Sequence, residues 1–165
     1  MYFDTHAHYD DSAFSDDRHE LLGSVRESGV ELIINPGCTV ESSKTALELA
    51  EKHPFIYAAV GIHPEELSSM KEGDLQIIEQ LAKNPRCCAI GEIGLDYYWD
   101  ASRKEEQKQL FRAQLELALR LDKPVIVHDR EAHADCLDIV REYKGLRGVF
   151  HCYSGSWEMA KELLS

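Results

Sequence analysis

Six short apolar segments recur along the chain at intervals of roughly 25–35 residues, rich in β-branched residues or ending in glycine or a polar residue. They are MYFDTHAH (1–8), ELIINPG (31–37), FIYAAVGIHP (55–64), CCAIGEIGLD (87–96), KPVIVHDR (123–130) and RGVFHCYSG (147–155). Between them the apolar residues take helical spacing. Leu21, Leu22, Val25 and Val30 share one face, with Gly29 as a C-terminal cap. Ala46, Leu47, Leu49 and Ala50 form a second stripe, stopped by Pro54. The strongest helical segment, EEQKQLFRAQLELALRLDKP, gathers Leu110, Phe111, Leu115, Ala118, Leu119 and Leu121. Ala134 to Tyr143 and the final SWEMAKELLS read as helices too. Uninterrupted strand–helix alternation implies an α/β fold on a parallel sheet. The strands are mostly continuous apolar runs, as expected when both faces are covered. A doubly wound sheet and a (β/α)₈ barrel both satisfy this pattern. No glycine-rich dinucleotide fingerprint follows the first strand, which weakens the doubly wound reading.

With 165 residues and no low-complexity linker, the chain reads as one domain, 1–165, large enough to bury a core. Its net charge of −12 argues against broad adhesion to a nucleic-acid backbone, while leaving room for a local pocket that takes an anionic group. The five cysteines are odd in number and form no C-x-x-C pair, so a disulfide framework is not expected and a reducing, cytoplasmic location is. No secretory signal is visible, and no apolar run approaches the ~20 residues of a membrane span.

Five of the eight histidines fall at or just past the C-terminal ends of these strands. His6 and His8 end the first, His63 the third and His128 the fifth, while His151 lies in the sixth; Glu92, in GEIGLD, is expected to end the fourth. In parallel α/β folds those ends converge on one face, where chemistry occurs. On a strand, residues i and i+2 share a side, so His6 and His8 are expected to project together into one interior with Asp4 a layer deeper. Two buried imidazoles without a partner are costly, and a divalent cation is a natural partner. A lone strand-end histidine is ordinarily a hydrogen-bonded residue, and H-x-H alone is a weak motif. Five histidines and a glutamate at equivalent places on successive strands point to a metal site. His19, His53 and His133 fall in loops or helices and are expected to be solvated.

FDTHAH, GIHP, GEIGLDYY, PVIVHDR and VFHCYSGS run in order through the whole chain, and this pattern resembles the TatD-type metal-dependent deoxyribonucleases, a branch of the amidohydrolase-like (β/α)₈ hydrolases. The resemblance implies a TIM-barrel type fold, here only its first six βα units. It implies that His6, His8, Glu92, His128 and His151 bind two divalent cations (Mg²⁺, Mn²⁺ or Zn²⁺), with Glu92 as a bridge and His128 also catalytic. His63 and Arg130 would lie beside the substrate, Arg130 gripping an anionic oxygen bidentately. Many binuclear relatives carry a carbamylated lysine on the fourth strand; lysine is absent from 87–96, and Glu92 takes that place. The family pattern also carries a seventh-strand aspartate as general base. No residue matches it, since Asp135 and Asp138 fall in the helix after the fifth strand. The chain is therefore expected to be a fragment or shortened homologue, binding metal weakly and turning over slowly.

Two ions about 3.5–4 Å apart suit phosphodiester chemistry by activating water and stabilising the leaving oxygen. His6, His8 and Glu92 are expected to hold one, and Glu92, His128 and His151 the other. Arg103, Lys104, Lys108, Arg112 and Arg120 alternate with acids and read as a solvated helix face, not a duplex-gripping stripe. DNA is therefore expected as a single strand or frayed end, degraded from the terminus. Tyr97, Tyr98 and Trp99 either stack an unpaired base or pack under the following loop. Two other readings stand beside the nuclease: a hydrolase of a small amide, lactone or ester, and an inactive metal-binding fragment.

Overall fold

A computed structural model describes residues 1–164 and contains one six-stranded sheet. Its strands are β1 (Tyr2–Asp4), β2 (Val30–Pro36), β3 (Ile56–Val60), β4 (Cys87–Asp96), β5 (Val125–Arg130) and β6 (Gly148–Phe150). The helices are α1 (Arg18–Glu27), α2 (Val40–Lys52), α3 (Asp74–Leu81), α4 (Lys104–Arg120), α5 (His133–Arg141) and α6 (Trp157–Leu163). Ser165, the end of the expected last helix, lies outside the described residues. The strands pair in parallel in strictly sequential order, β1-β2-β3-β4-β5-β6. A doubly wound sheet would reverse its order at a switch point. Sequential order instead builds a barrel wall, and the sheet curls accordingly. The rings of His6, just past β1, and His151, just past β6, stack with centroids 3.4 Å apart although four strands intervene. The architecture is thus the expected (β/α)₈ TIM-barrel type, represented by six curled strands.

Alternation along the strands separates two apolar layers. Ala58, Val60, Val125 and Val127 face the helices within the main core. Ala59, Ala89 and Ile126 form a small cluster on the opposite, concave face, with Ile34 and Cys88 against it. His128, two residues beyond Ile126, continues that inner face. In β4, Ile90 and Ile93 both belong to the outer core, and the pairing register with β5 slips between them. The slip inverts the alternation, so the inner face passes from Ala89 to Glu92. Close approach of β4 to β5 then requires Gly94, at φ +145°, where a Cβ would lie 2.0 Å from the His128 carbonyl oxygen.

The outer layer follows the expected helical stripes on α2, where Ala46, Leu47, Leu49 and Ala50 are all buried. Helix α4 departs from expectation. Leu119 is exposed, and the buried face includes Gln107 and Gln114, seven residues apart and therefore on one stripe. Each glutamine works as a substitute strand. Gln114 accepts from the Ile62 amide (2.8 Å) and donates to the Ile62 carbonyl (3.0 Å). Gln107 accepts from the Asp96 amide (2.9 Å) and donates to the Asp96 and Asp100 carbonyls (2.9 and 2.8 Å). Peptide groups that leave the ladder at the ends of β3 and β4 are thereby satisfied inside the protein. Among the described residues no helix is long and apolar enough to cross a membrane.

Replacing Gln114 by Leu leaves two buried peptide groups of Ile62 unpaired, and the expected loss is about 2–4 kcal/mol. Urea unfolding should show a lower midpoint at unchanged slope. A loss below ~1 kcal/mol would mean the clamp contributes little.

Candidate metal centre

β1 ends at Asp4, so His6 and His8 stand beyond the strand and not on it, as the sequence had suggested. The chain leaves the ladder because the Asp4 carboxylate accepts the His6 amide at 3.1 Å. It is then pinned again to β2. The Ala7 amide donates to the Ile34 carbonyl (3.1 Å), and the Tyr9 amide donates to Asn35 Oδ1 (2.7 Å). Asn35 in turn donates to Asp10 at 2.6 Å. The outcome preserves the i, i+2 pairing by another route, with His6 Nε2 3.0 Å from His8 Nε2.

Glu92, in mid-strand rather than at the end of β4, meets both histidines. Its Oε2 lies 3.2 Å from His6 Nε2 and 3.6 Å from His8 Nε2, while Oε1 lies 3.1 Å from His128 Nδ1. One buried carboxylate is shared between two imidazole groups, one oxygen for each. His128 is held from its other side by Asp96 Oδ2 at 2.9 Å. Asp96 is aimed by the amides of Tyr98 and Trp99, which both donate to its Oδ1 at 2.9 Å. Sequence reasoning missed Asp96. Its signal was the position four residues after Glu92 in GEIGLD, at the point where β4 reaches the rim.

The electrostatics follow from this pairing. Burial alone would raise the Glu92 pKa, but hydrogen bonds from His128, His6 and His8 outweigh it and hold the carboxylate far below its usual range. The Glu92 hydrogen bond raises His8. Burial lowers His128, yet Glu92 and Asp96 together raise it. Asp96 is held below its ordinary value despite burial by the Trp99 amide and His128. Burial and the neighbouring His128 push His63 down to about 4. Burial, with His6 alongside, also lowers His151.

The donors fit a divalent cation. Ligands about 2.1 Å from one ion stand about 3.0–3.4 Å apart at tetrahedral or octahedral angles. The nitrogens of His6 and His8 and the near oxygen of Glu92 are separated by 3.0, 3.2 and 3.6 Å. Buried His6 Nδ1 has no partner within the protein, so these contacts do not complete the ring's hydrogen bonding. The donors that converge on the other side of Glu92 come from His63 and His128. His151 stands against the His6 ring. All of them line a cavity of about 770 Å³ together with Arg130 and Trp99.

Arg130 lies with its guanidinium 4.1 Å from the centroid of the Tyr98 ring and 5.6 Å from that of Trp99; both rings are exposed, and Trp99 lines the cavity. Tyr97 turns the other way, buried, with its hydroxyl donating to Asp135 at 2.6 Å. The three adjacent aromatics thus divide between packing and the rim. His19 and His53 pair with each other at 2.9 Å near the surface, and His133 contacts Asp129 at 2.8 Å. Asp135 and Asp138 lie in α5, as expected. The basic residues of α4 are largely answered by acids: Arg103 by Glu106, Lys108 by Glu105 and Asp135, Arg112 by Glu142, and Arg120 by Glu79.

Glu92 beside His8, and Glu92 with Asp96 beside His128, raise these imidazoles and so favour their protonated forms, whereas a cation needs its imidazole ligands neutral. Binding of a divalent cation should therefore release protons, and affinity should strengthen as the pH rises above the ordinary imidazole range. Calorimetry in buffers of different ionisation enthalpy measures this directly; zero proton release, or weaker binding at higher pH, would contradict it.

A family model described as TatD related DNase matches residues 3–165. The chain is 39% identical over 166 residues to the uncharacterized metal-dependent hydrolase YabD of Bacillus subtilis, covering 99% of this chain and 65% of the relative. It is 36% identical over 165 residues to the 3'-5' ssDNA/RNA exonuclease TatD of Musicola paradisiaca, covering 98% and 62%. Among solved structures, the TatD homologue YjjV from Escherichia coli superposes with a TM-score of 0.92 at 35% identity, covering 99% of this chain and 64% of the other. The phosphotriesterase homology protein of Escherichia coli, at 15% identity and a TM-score of 0.68, covers 99% and 67% and shares the fold. The chain thus spans just under two thirds of the length of the curated relatives it matches.

Proposed function

The chain belongs to the TatD-related DNase family, and on that premise we propose that residues 1–165 are a metal-dependent hydrolase domain that cleaves phosphodiester bonds, removing nucleotides from single-stranded or frayed DNA ends. The names of the exonuclease relatives support a 3'-to-5' direction and extend the substrate to RNA. The absence of a membrane-length apolar helix among the described residues is compatible with the cytoplasmic location proposed from the cysteines.

The observation that carries this reading is the division of Glu92, one oxygen toward His6 and His8 and the other toward His128. A carboxylate used from both ends suits a pair of divalent ions, with His6, His8 and Glu92 around one and Glu92, His128 and His151 around the other. Such ions, whether Mg²⁺, Mn²⁺ or Zn²⁺, supply Lewis acidity and a hydroxide nucleophile at neutral pH. The chain's own residues supply position. Asp96 fixes the rotation of His128 by holding Nε2, so that Nδ1 faces Glu92. Arg130 offers donors to a phosphate oxygen while its plane rests on Tyr98. The exposed Trp99 presents a face on which an unpaired terminal base stacks.

This favours single strands over duplex, because an unpaired terminal base can turn onto the Trp99 face, whereas a paired one must first give up its partner and its stack. With Mg²⁺ or Mn²⁺ and single-stranded DNA, nucleotide release should stop with chelator and fall at least about 100-fold in His6→Ala. Release that ignores chelator, or equal rates in His6→Ala, would remove the metal-hydrolase reading; hydrolysis of small esters with DNA untouched would shift it to that substrate class. Trp99→Ala should raise KM for single strands about tenfold with kcat little changed. An unchanged KM would remove the stacking role.

A further inference from the structure

Strand β5 sends His128 and Arg130 to its concave side, and alternation turns Asp129, between them, toward the helix layer. There the Asp129 side chain is 4% exposed, and its Oδ2 accepts from His133 Nδ1 at 2.8 Å. Among the described residues its buried Oδ1 has no nitrogen or oxygen donor; beside the carboxylate stands only the Cys136 thiol, a weak donor on a fully buried residue. One imidazole thus supplies the main polar contact of a buried carboxylate.

Between Asp129 and His133 the chain turns sharply. Arg130 ends the ladder opposite Asp96, and its carbonyl accepts from the Tyr97 amide at 2.9 Å. Glu131 then adopts φ +54°, a left-handed conformation that a residue with a side chain keeps only where its surroundings impose it. Ala132 is buried in the outer core, and His133 opens α5. The turn is therefore held by two contacts, Ala132 in the core and His133 on Asp129. Arg130 lies inside the loop they close, with its guanidinium on the Tyr98 and Trp99 rings. Without the imidazole, Asp129 gains by turning toward water and Glu131 by relaxing to negative φ. Both movements rotate the end of β5 and carry Arg130 off its rings.

We propose that His133 is a positioning residue: by latching the start of α5 to Asp129 it locks the left-handed turn and keeps the Arg130 fork aimed at a substrate phosphate. The proposal rests on the phosphodiesterase reading for the group that Arg130 grips, but the latch belongs to the substrate-free protein and stands apart from it. The advantage is a donor already oriented before substrate arrives, so that less freedom is lost on binding. His133 acts on affinity through Arg130 and not on the reacting atoms, which separates it from the histidines of the candidate metal centre.

Two variants separate the latch from the fold. His133→Ala removes the Nδ1 donor, whereas His133→Asn sets a side-chain amide nitrogen near the same position and keeps a donor for Asp129. In ¹H–¹⁵N spectra of the metal-free, substrate-free chain, the Arg130 Nε–H proton should carry a ring-current shift from Tyr98 and Trp99. That shift should collapse in His133→Ala and survive in His133→Asn. With Mg²⁺ and single-stranded DNA, His133→Ala should raise KM about fivefold with kcat within about twofold, and His133→Asn should restore KM. Added to Arg130→Ala, His133→Ala should change KM no further, because both act through one group. Asp129→Ala removes the latch without leaving a buried carboxylate unpaired, so it serves where His133→Ala does not fold, and it too should lose the Arg130 shift. A shift that persists in folded His133→Ala or Asp129→Ala, a His133→Asn no better than His133→Ala, or equal KM rises with and without Arg130 would overturn the proposal. A native chain that releases no nucleotides would count against the phosphodiesterase reading, and the latch would still be decided by the Arg130 spectrum.

Discussion

A buried carboxylate must be answered by positive charge or by several hydrogen bonds, and Glu92 is 4% exposed on the inner wall of a curled sheet. Three imidazoles answer it, from the segment after β1 and from β5. Much of the surrounding architecture serves that meeting. The register slip in β4 turns Glu92 inward, and the bare backbone of Gly94 lets β5 lie close enough for His128 to reach it. The Asn35–Asp10 and Ala7–Ile34 bonds tether the loop that carries His6 and His8. Removing one partner from such a cluster leaves charge without compensation, which is why its members are coupled and not independent contributors.

The rim is organised by a different carboxylate. Asp96 takes two backbone amides on one oxygen and His128 on the other. It therefore joins the inner cluster to the turn that carries Tyr98 and Trp99, and through their rings to Arg130. Gln107 secures the Asp96 peptide from behind. A net charge of −12 is compatible with binding an anionic substrate only where cations and donors are concentrated. The cavity sets Arg130 beside the histidines and Glu92 of the candidate metal centre.

The alternation of apolar runs with helical stripes made the sequential parallel sheet legible, because it depends on periodicity that each segment carries alone. The grouping of His6, His8, Glu92 and His128 was legible for a related reason: in a parallel barrel wall, strand order converts distant residues into neighbours. Details set by single hydrogen bonds were not legible. The early end of β1 depends on Asp4 capturing the His6 amide, and the mid-strand place of Glu92 depends on a slip that no periodicity announces. Gln107 and Gln114 look like ordinary polar positions on an amphipathic helix until the strand ends they satisfy are in view. Asp96 was hidden by its neighbour Glu92, and the stacking of His151 on His6 comes from the curl of the sheet, which no local pattern announces.

In the proposed function one carboxylate, Glu92, would hold two cations at once. Electron paramagnetic resonance of the chain titrated with Mn²⁺ tests it most directly. The account predicts that the spectrum beyond one equivalent is that of an exchange-coupled ion pair, and that the coupling vanishes in Glu92→Gln. Two magnetically isolated Mn²⁺ ions in the native chain, or coupling that survives without the Glu92 carboxylate, would contradict it.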